Sequence, residues 1–378
     1  MSFLNYALDR MVDADNLLVK LNKLVNWVEL SKLLNKTLGK PQEVVAGKPS
    51  YDYLSMYKVL LLQQWHNLSD PKAEESLKTR IDFMWFTGFG LASVDFAVPD
   101  ETTICRFRGR LVKHKILDKL LKIVNNQLEQ HNLKVKITNG AILDATLIEA
   151  AVNSRAKPNV IVEDRKEDDN NSDGTNANKL VEAELPKVLK SNEQTDIEID
   201  KDAKWLKKGN KNVFGYKNFV AVDTTDGYIE SVEVTPANLS EIKHLDATLS
   251  RIDNHQNIKV LFADKGYDSQ ANLDLLKCKG IGNGIMKKAT RGKPLDKKQI
   301  HRNKRISKTR YIVERTNATT SSRFHFKKAK YLGLAKVTAQ ALLVATAHNL
   351  LKAANKIKLL VDIPKIIVSI PCEIGLFA

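Results

Sequence analysis

Apolar residues recur every three or four positions through the first third of the chain, then gather into short, β-branched runs through its centre. Leu17, Leu21, Leu24, Trp27, Val28, Leu30 and Leu34 follow a polar Asp-Ala-Asp-Asn start and predict one helix. Leu54, Tyr57, Val59, Leu60, Leu62 and Trp65 predict a second, ending near Asn67. Ser69-Asp70-Pro71 opens a third, with Pro in the first turn and Glu74-Glu75 near the positive end of the dipole. It carries Leu77, Ile81, Met84 and Trp85 as far as Gly88. Asp100 or a following Thr caps a fourth, which holds Arg106, Arg108, Arg110, Lys113 and Lys115. Residues 1–135 therefore read as a helical domain. Short helices ending in a basic one suit DNA binding, and equally a bundle whose Arg and Lys form a solvated face.

After Lys134 the period changes. Gly140–Ala145 is an apolar strand with Asp144 inside it, and the polar, acid-rich stretch 153–202 reads as a disordered or weakly ordered insertion. Strands are expected over Val213–Val222 and Tyr228–Thr235, joined antiparallel by the turn Asp223-Thr-Thr-Asp-Gly227. A helix over Pro236–Ser250, with Leu239, Ile242, Leu245 and Leu249 inward, leads to the strand Val260–Ala263. Asp264 ends that strand, Lys265-Gly266 turns the chain out of the sheet, and a helix follows over Ser269–Lys277. A crossover helix makes the fourth strand parallel to its neighbour, so the class is α/β with a mixed sheet. Further helices are expected from about Ser307 and over Ala335–Ala354, leaving residues 357–378 as an unassigned tail.

The net charge of +16 changes the picture, because it calls for a polyanionic partner, nucleic acid first among them. Between Lys277 and Lys330 eighteen Lys or Arg stand against two acids, Asp296 and Glu314, a run able to lie along phosphates. Cys105, Cys278 and Cys372 are too scattered for a disulfide framework or zinc finger. The first residues lack a signal pattern, and no uninterrupted apolar run reaches the roughly 18 residues a membrane span needs. A cytoplasmic protein with no membrane partner is expected.

Glu314, alone in the basic run, could simply pair with Arg310 one turn earlier. Joined to Asp144 and Asp264, it would complete a set of hard oxygen ligands for two magnesium or manganese ions roughly 3.5–4 Å apart. Such a pair performs in-line displacement at phosphorus, so metal-dependent phosphoryl transfer on nucleic acid is the chemistry these acids suit.

Several stretches then carry a resemblance: Leu60–Pro71, Pro99–Arg108, Ile142–Ala150, Trp205–Gly209, Phe214–Lys217, Ala263–Tyr267, Arg310–Glu314 and Lys330–Ala335. Over roughly residues 15 to 355 the chain resembles bacterial insertion-sequence transposases of the DDE type, in the insertion-sequence-five group. The resemblance implies a helical DNA-binding domain (1–135) before a ribonuclease-H-like catalytic domain (136–356), with Asp144, Asp264 and Glu314 as the metal-binding triad. It implies cleavage at terminal inverted repeats of double-stranded DNA, joining of 3′-hydroxyl ends to target DNA, a homo-oligomer on DNA, and residence at the bacterial nucleoid. Arg310 is expected to contact phosphate near the transferred strand, and Arg106, Arg108, Lys265, Arg315, Lys327 and Lys328 to contact DNA. The chain departs from the family at Ser307, where a Tyr is usual, and at Ser321, where a Lys is usual. A catalytically decayed DNA-binding protein and a plain metal-dependent nuclease are the competing expectations.

Overall fold

The computed structural model describes residues 10–39, 50–92, 97–136, 139–152, 200–208, 211–252, 257–290 and 292–368. Nearly all of the expected insertion, 153–199, lies outside them. The first helical pattern is two helices, α1 (Leu17–Leu24) and α2 (Trp27–Leu38). The break is tertiary: the Gln127 amide accepts from the Asn26 backbone N–H at 3.0 Å and donates to its carbonyl at 3.2 Å. After α3 (Tyr53–His66), which ends on a left-handed Asn67, the third pattern is also broken. It gives α4 (Asp70–Thr79), capped by Ser69, and α5 (Ile81–Thr87). Arg80 sits extended between them, paired with Asp82 at 2.6 Å and stacked on Phe83. Asp100 caps α6 (Glu101–Lys113) through the Thr103 N–H, and Lys115 falls beyond its end, before α7 (Leu117–Gln130).

The sheet is mixed and has six strands: β1 (Ala141–Glu149), β2 (Lys204–Lys208), β3 (Lys211–Asp223), β4 (Ile229–Pro236), β5 (Val260–Ala263) and β6 (Gly282–Ile285). Its order is β2-β3-β1-β5-β6, with β4 also paired to β3. The β3–β4 pair is antiparallel as its turn predicts, and β5 runs parallel to β1 and β6. β2 and β6 are additions to the expected set. Glycines mask β6, and a Cβ on Gly284 would come 2.5 Å from the Leu261 carbonyl, so close strand packing needs its absence.

Three helix boundaries also differ. Residues 236–250 form only a 3-10 turn, Glu241–His244, and α8 (Leu245–Ser250), leaving Leu239 and Ile242 exposed rather than inward. The Lys217 ammonium holds the Leu239 carbonyl at 2.8 Å and fixes this segment outside a helix. After α9 (Gln270–Cys278), the helix expected from Ser307 starts ten residues earlier as α10 (Lys297–Ser322). A reciprocal capping box between Asp296 and Gln299 sets that start. The last helix, α11 (Leu334–Val368), continues past Ala354 into the expected tail, of which 369–378 lie outside the described residues.

One apolar cluster joins the N-terminal helices, one sheet face (Ile142, Ile148, Val220, Val222), Val313 of α10 and α11. A smaller cluster covers the other face with α8 and α9. α11 is the shared element. Trp65 donates from Nε1 to the Ala347 carbonyl at 2.9 Å, and Asn349 bonds both the N–H and the carbonyl of Ile229. No described helix is long and apolar enough to cross a membrane.

Burial, then the charge of Lys352, push the neighbouring His348 imidazole down to about 4, with the Asn349 hydrogen bond working the other way. The unfolded chain, with a pKa near 6.5, binds protons that the fold refuses. Stability is therefore lost as pH falls from about 6.5 to about 4, by about 3 kcal/mol at full extent. Urea midpoints at pH 7 and pH 5 should separate more for the wild type than for His348→Gln. Equal acid losses in the two proteins would show that the imidazole is not responsible.

Candidate active site

β1 brings Asp144 to the sheet centre, opposite Val220 of β3, on the face that α10 crosses. β5 ends one residue before Asp264, whose carboxylate accepts the Lys265 N–H at 2.7 Å and so starts a 3-10 turn, Lys265–Tyr267. That turn runs close under Glu241, where a Cβ on Gly266 would come within 2.5 Å of the carboxylate. α10 supplies Arg310 and Glu314 from successive turns.

These elements meet at one guanidinium. Arg310 Nη2 donates to Asp144 Oδ1 at 2.9 Å, while Nη1 lies 3.5 Å from Asp264 Oδ1 and 3.8 Å from Glu314 Oε1. Glu314 does pair with Arg310, and so do both strand acids. The acids grade outward from the fold: their side chains are 17%, 38% and 52% exposed for Asp144, Asp264 and Glu314. Burial raises the Asp144 pKa, the attraction and hydrogen bonds of Arg310 and Asn317 oppose this, and the Asp264 charge adds to the rise.

Asn317 is the site residue that sequence reasoning missed. It is buried on α10 and donates from Nδ2 to Asp144 Oδ2 at 2.8 Å, so both carboxylate oxygens are held. Its position, three residues past Glu314 and seven past Arg310, was the available signal, because that spacing keeps one helix face. Tyr267 is buried behind the site, its pKa raised well above normal by burial and by the carboxylates of Glu241 and Asp144.

The expected DNA contacts fall into two groups, and Arg310, buried among the acids, belongs with Arg108 in the buried one. Arg106, Lys265, Arg315, Lys327 and Lys328 are exposed. Lys327 and Lys328 flank the end of β1, where the Glu149 N–H bonds the Lys327 carbonyl at 2.9 Å. Arg108 is not on the surface. It is buried in an ion pair with Asp70 and stacks on Tyr331, because α6 turns that position toward α4 and the start of α11. Part of the basic run is spent on the fold as well: the half-buried Arg302 caps β6 by donating to the Ile285 and Asn283 carbonyls, both at 2.7 Å.

Residues 137–350 match the family model described as "Transposase DDE domain", and residues 6–110 match "Transposase domain (DUF772)". The chain belongs to the DDE transposase family. It is 37% identical over 252 residues to the transposase for insertion sequence element IS1106 of Neisseria meningitidis serogroup B, covering 67% of this chain and 78% of that protein. No solved structure matches.

Transposases of this family generally use divalent metal ions, and the donor chemistry here fits one. Three carboxylates face a single positive charge, and all their ligand atoms are hard oxygens, the kind magnesium and manganese take. Among the described residues, no three acidic, imidazole or thiol side chains stand close enough to ligate one ion as placed. The guanidinium is the cation they share.

Removing that cation leaves Asp144 largely buried and charged. Arg310→Gln should cost about 3 kcal/mol in urea unfolding without metal. Added magnesium should then raise the melting temperature of the variant more than that of the wild type. A variant as stable as the wild type, or one indifferent to magnesium, would show that the acids do not need a shared cation.

Proposed function

We propose that this transposase, of the insertion-sequence-five group, binds the terminal inverted repeats of its element and catalyses DNA cleavage and strand transfer. The observation carrying this reading is the convergence of Asp144, Asp264 and Glu314, from two strands and a helix, on one exposed-edge site. A ribonuclease-H-like core with a preceding helical DNA-binding region accounts for the mixed sheet and the helices before it.

In this reading the three acids would hold two magnesium or manganese ions, which would supply a lowered pKa for an attacking water or 3′-hydroxyl and positive charge for the leaving oxygen. The chain's own residues do the rest. Asn317 keeps Asp144 oriented by occupying the oxygen that faces away from Arg310. Arg310, released from the acids, hydrogen-bonds the phosphate beside the reacting strand, a planar fork suited to two oxygens at once. Lys265 and Arg315 hold the backbone on either side of the acids, and Lys327, Lys328 and Arg106 extend the grip. Arg108, inside with Asp70, positions α6 and does not touch DNA. Two ends processed together require at least a dimer on DNA, in the cytoplasm at the nucleoid. Ser321, where the family carries Lys, favours a second reading in which DNA is bound without being cut.

Asp144→Asn, Asp264→Asn and Glu314→Gln should each abolish cleavage and joining while leaving binding of element-end DNA within a few-fold of wild type. Loss of binding in all three would assign the acids to structure instead. Nicked ends that are never joined would identify a nuclease, and a wild type that binds without cutting would establish the second reading. Ser321→Lys should tighten binding to the element end, and an unchanged affinity would place that contact elsewhere.

A further inference from the structure

The β2–β3 hairpin is a second concentration of charge that the catalytic reading leaves unused. Lys204, Lys207, Lys208 and Lys211 are all exposed, and among the described residues none of them has an ion pair. Among the described residues, their ammonium groups make a single hydrogen bond, from Lys204 to the Lys201 carbonyl at 3.3 Å. The register makes this placement costly. Lys208 lies directly opposite Lys211, and the strand's alternation puts Lys204 on their face. Like charges facing each other across a strand pair destabilise it. Lysines on an edge strand also deter pairing with another chain, but any one of them serves that purpose, and none needs to face a second.

The hairpin is nonetheless rigid. Trp205 packs on Phe214 with ring centroids 5.3 Å apart, and five residue pairs hold β2 to β3 in register. Asp200, just before it, accepts the Tyr216 hydroxyl at 2.7 Å, and Asp202 accepts the Leu334 N–H at 2.8 Å at the start of α11. Asp200 and Asp202 are therefore committed to the fold, and the ammonium groups keep their charge for something outside it.

Position indicates what that is. Glu149 pairs with Gly215, which pairs with Lys204, so the hairpin stands at the end of β1, beside Lys327 and Lys328. Five residues of strand separate Asp144 from Glu149, about 17 Å. Along a duplex this is about five base pairs at 3.4 Å each.

We infer that the Lys204–Lys208 strand with Lys211 is a phosphate-binding ribbon for duplex DNA, whose near end at Lys204 grips the backbone about five base pairs from the reacting phosphate and whose far end, Lys208 and Lys211, lies four strand residues farther out. The inference rests on the proposed binding of DNA at the acids. Its contacts are to phosphate, so they add affinity and register without reading sequence.

The test measures affinity of the full chain for a mixed-sequence duplex of roughly 30 base pairs, about three helical turns, across a salt series. Neutralising the three positions that share a face, Lys204→Gln, Lys208→Gln and Lys211→Gln, should weaken binding and flatten the log–log salt slope by about 2.7. The corresponding Lys→Arg set should keep the wild-type slope. The melting temperature of the Gln variant should equal or exceed that of the wild type, since a repulsion is relieved. If the triple variant does not fold, Lys208→Gln with Lys211→Gln decides, with an expected slope change of about 1.8. A wild-type slope in the neutralised protein overturns the ribbon while leaving DNA binding at the acids intact. A wild type that binds no duplex at all overturns the reading beneath it.

Discussion

Everything that converges in this transposase converges on the Arg310 guanidinium. β1 and β5 lie side by side with Asp144 inside one and Asp264 just past the end of the other, and the two negative charges face one positive group. α10 delivers it, and delivers Glu314 with it, because residues four apart share a helix face. The same helix supplies Asn317 to the remaining Asp144 oxygen and Val313 to the core. One element thus provides the counter-charge, the third acid, an orienting amide and the apolar contact that seats it. Exposure rising from Asp144 to Glu314 leaves the cluster open on one side, the side from which a phosphate enters in the proposed function.

How much of this was legible depended on whether the determinant was local. Asp144 and Asp264 could be placed from apolar runs and a turn, and the antiparallel β3–β4 pair from its tight connection, since these are properties of neighbouring residues. The break at Asn26 could not, because Gln127, a hundred residues away, makes it. The strand β6 was hidden by glycines whose value is the missing Cβ. The start of α10 was hidden by charge: Asp296 and Gln299 form a capping box inside a stretch that reads first as a basic run. Asn317 was visible in spacing but carried no charge to draw notice.

The basic residues show the same division. Net charge calls for a polyanionic partner, but it does not say which side chains are free to meet it. Arg108 and Arg302 are consumed by Asp70 and by strand carbonyls, whereas Lys265, Arg315, Lys327 and Lys328 stay outside. Internal partners make the distinction, since a guanidinium bonded to carboxylate or carbonyl oxygens of the fold has fewer donors left for DNA. The most telling surplus charge is then the one that costs stability, as Lys208 opposite Lys211 does.

The central claim is that Asp144, Asp264 and Glu314 form one metal site. Ferrous iron substituted for magnesium, with ascorbate and oxygen, generates hydroxyl radicals at the ion and cuts the backbone next to its ligands. The account predicts cuts beside residues 144, 264 and 314, suppressed by excess magnesium and absent in Asp144→Asn. Cuts confined to other parts of the chain, or a pattern unchanged by that substitution, would contradict it.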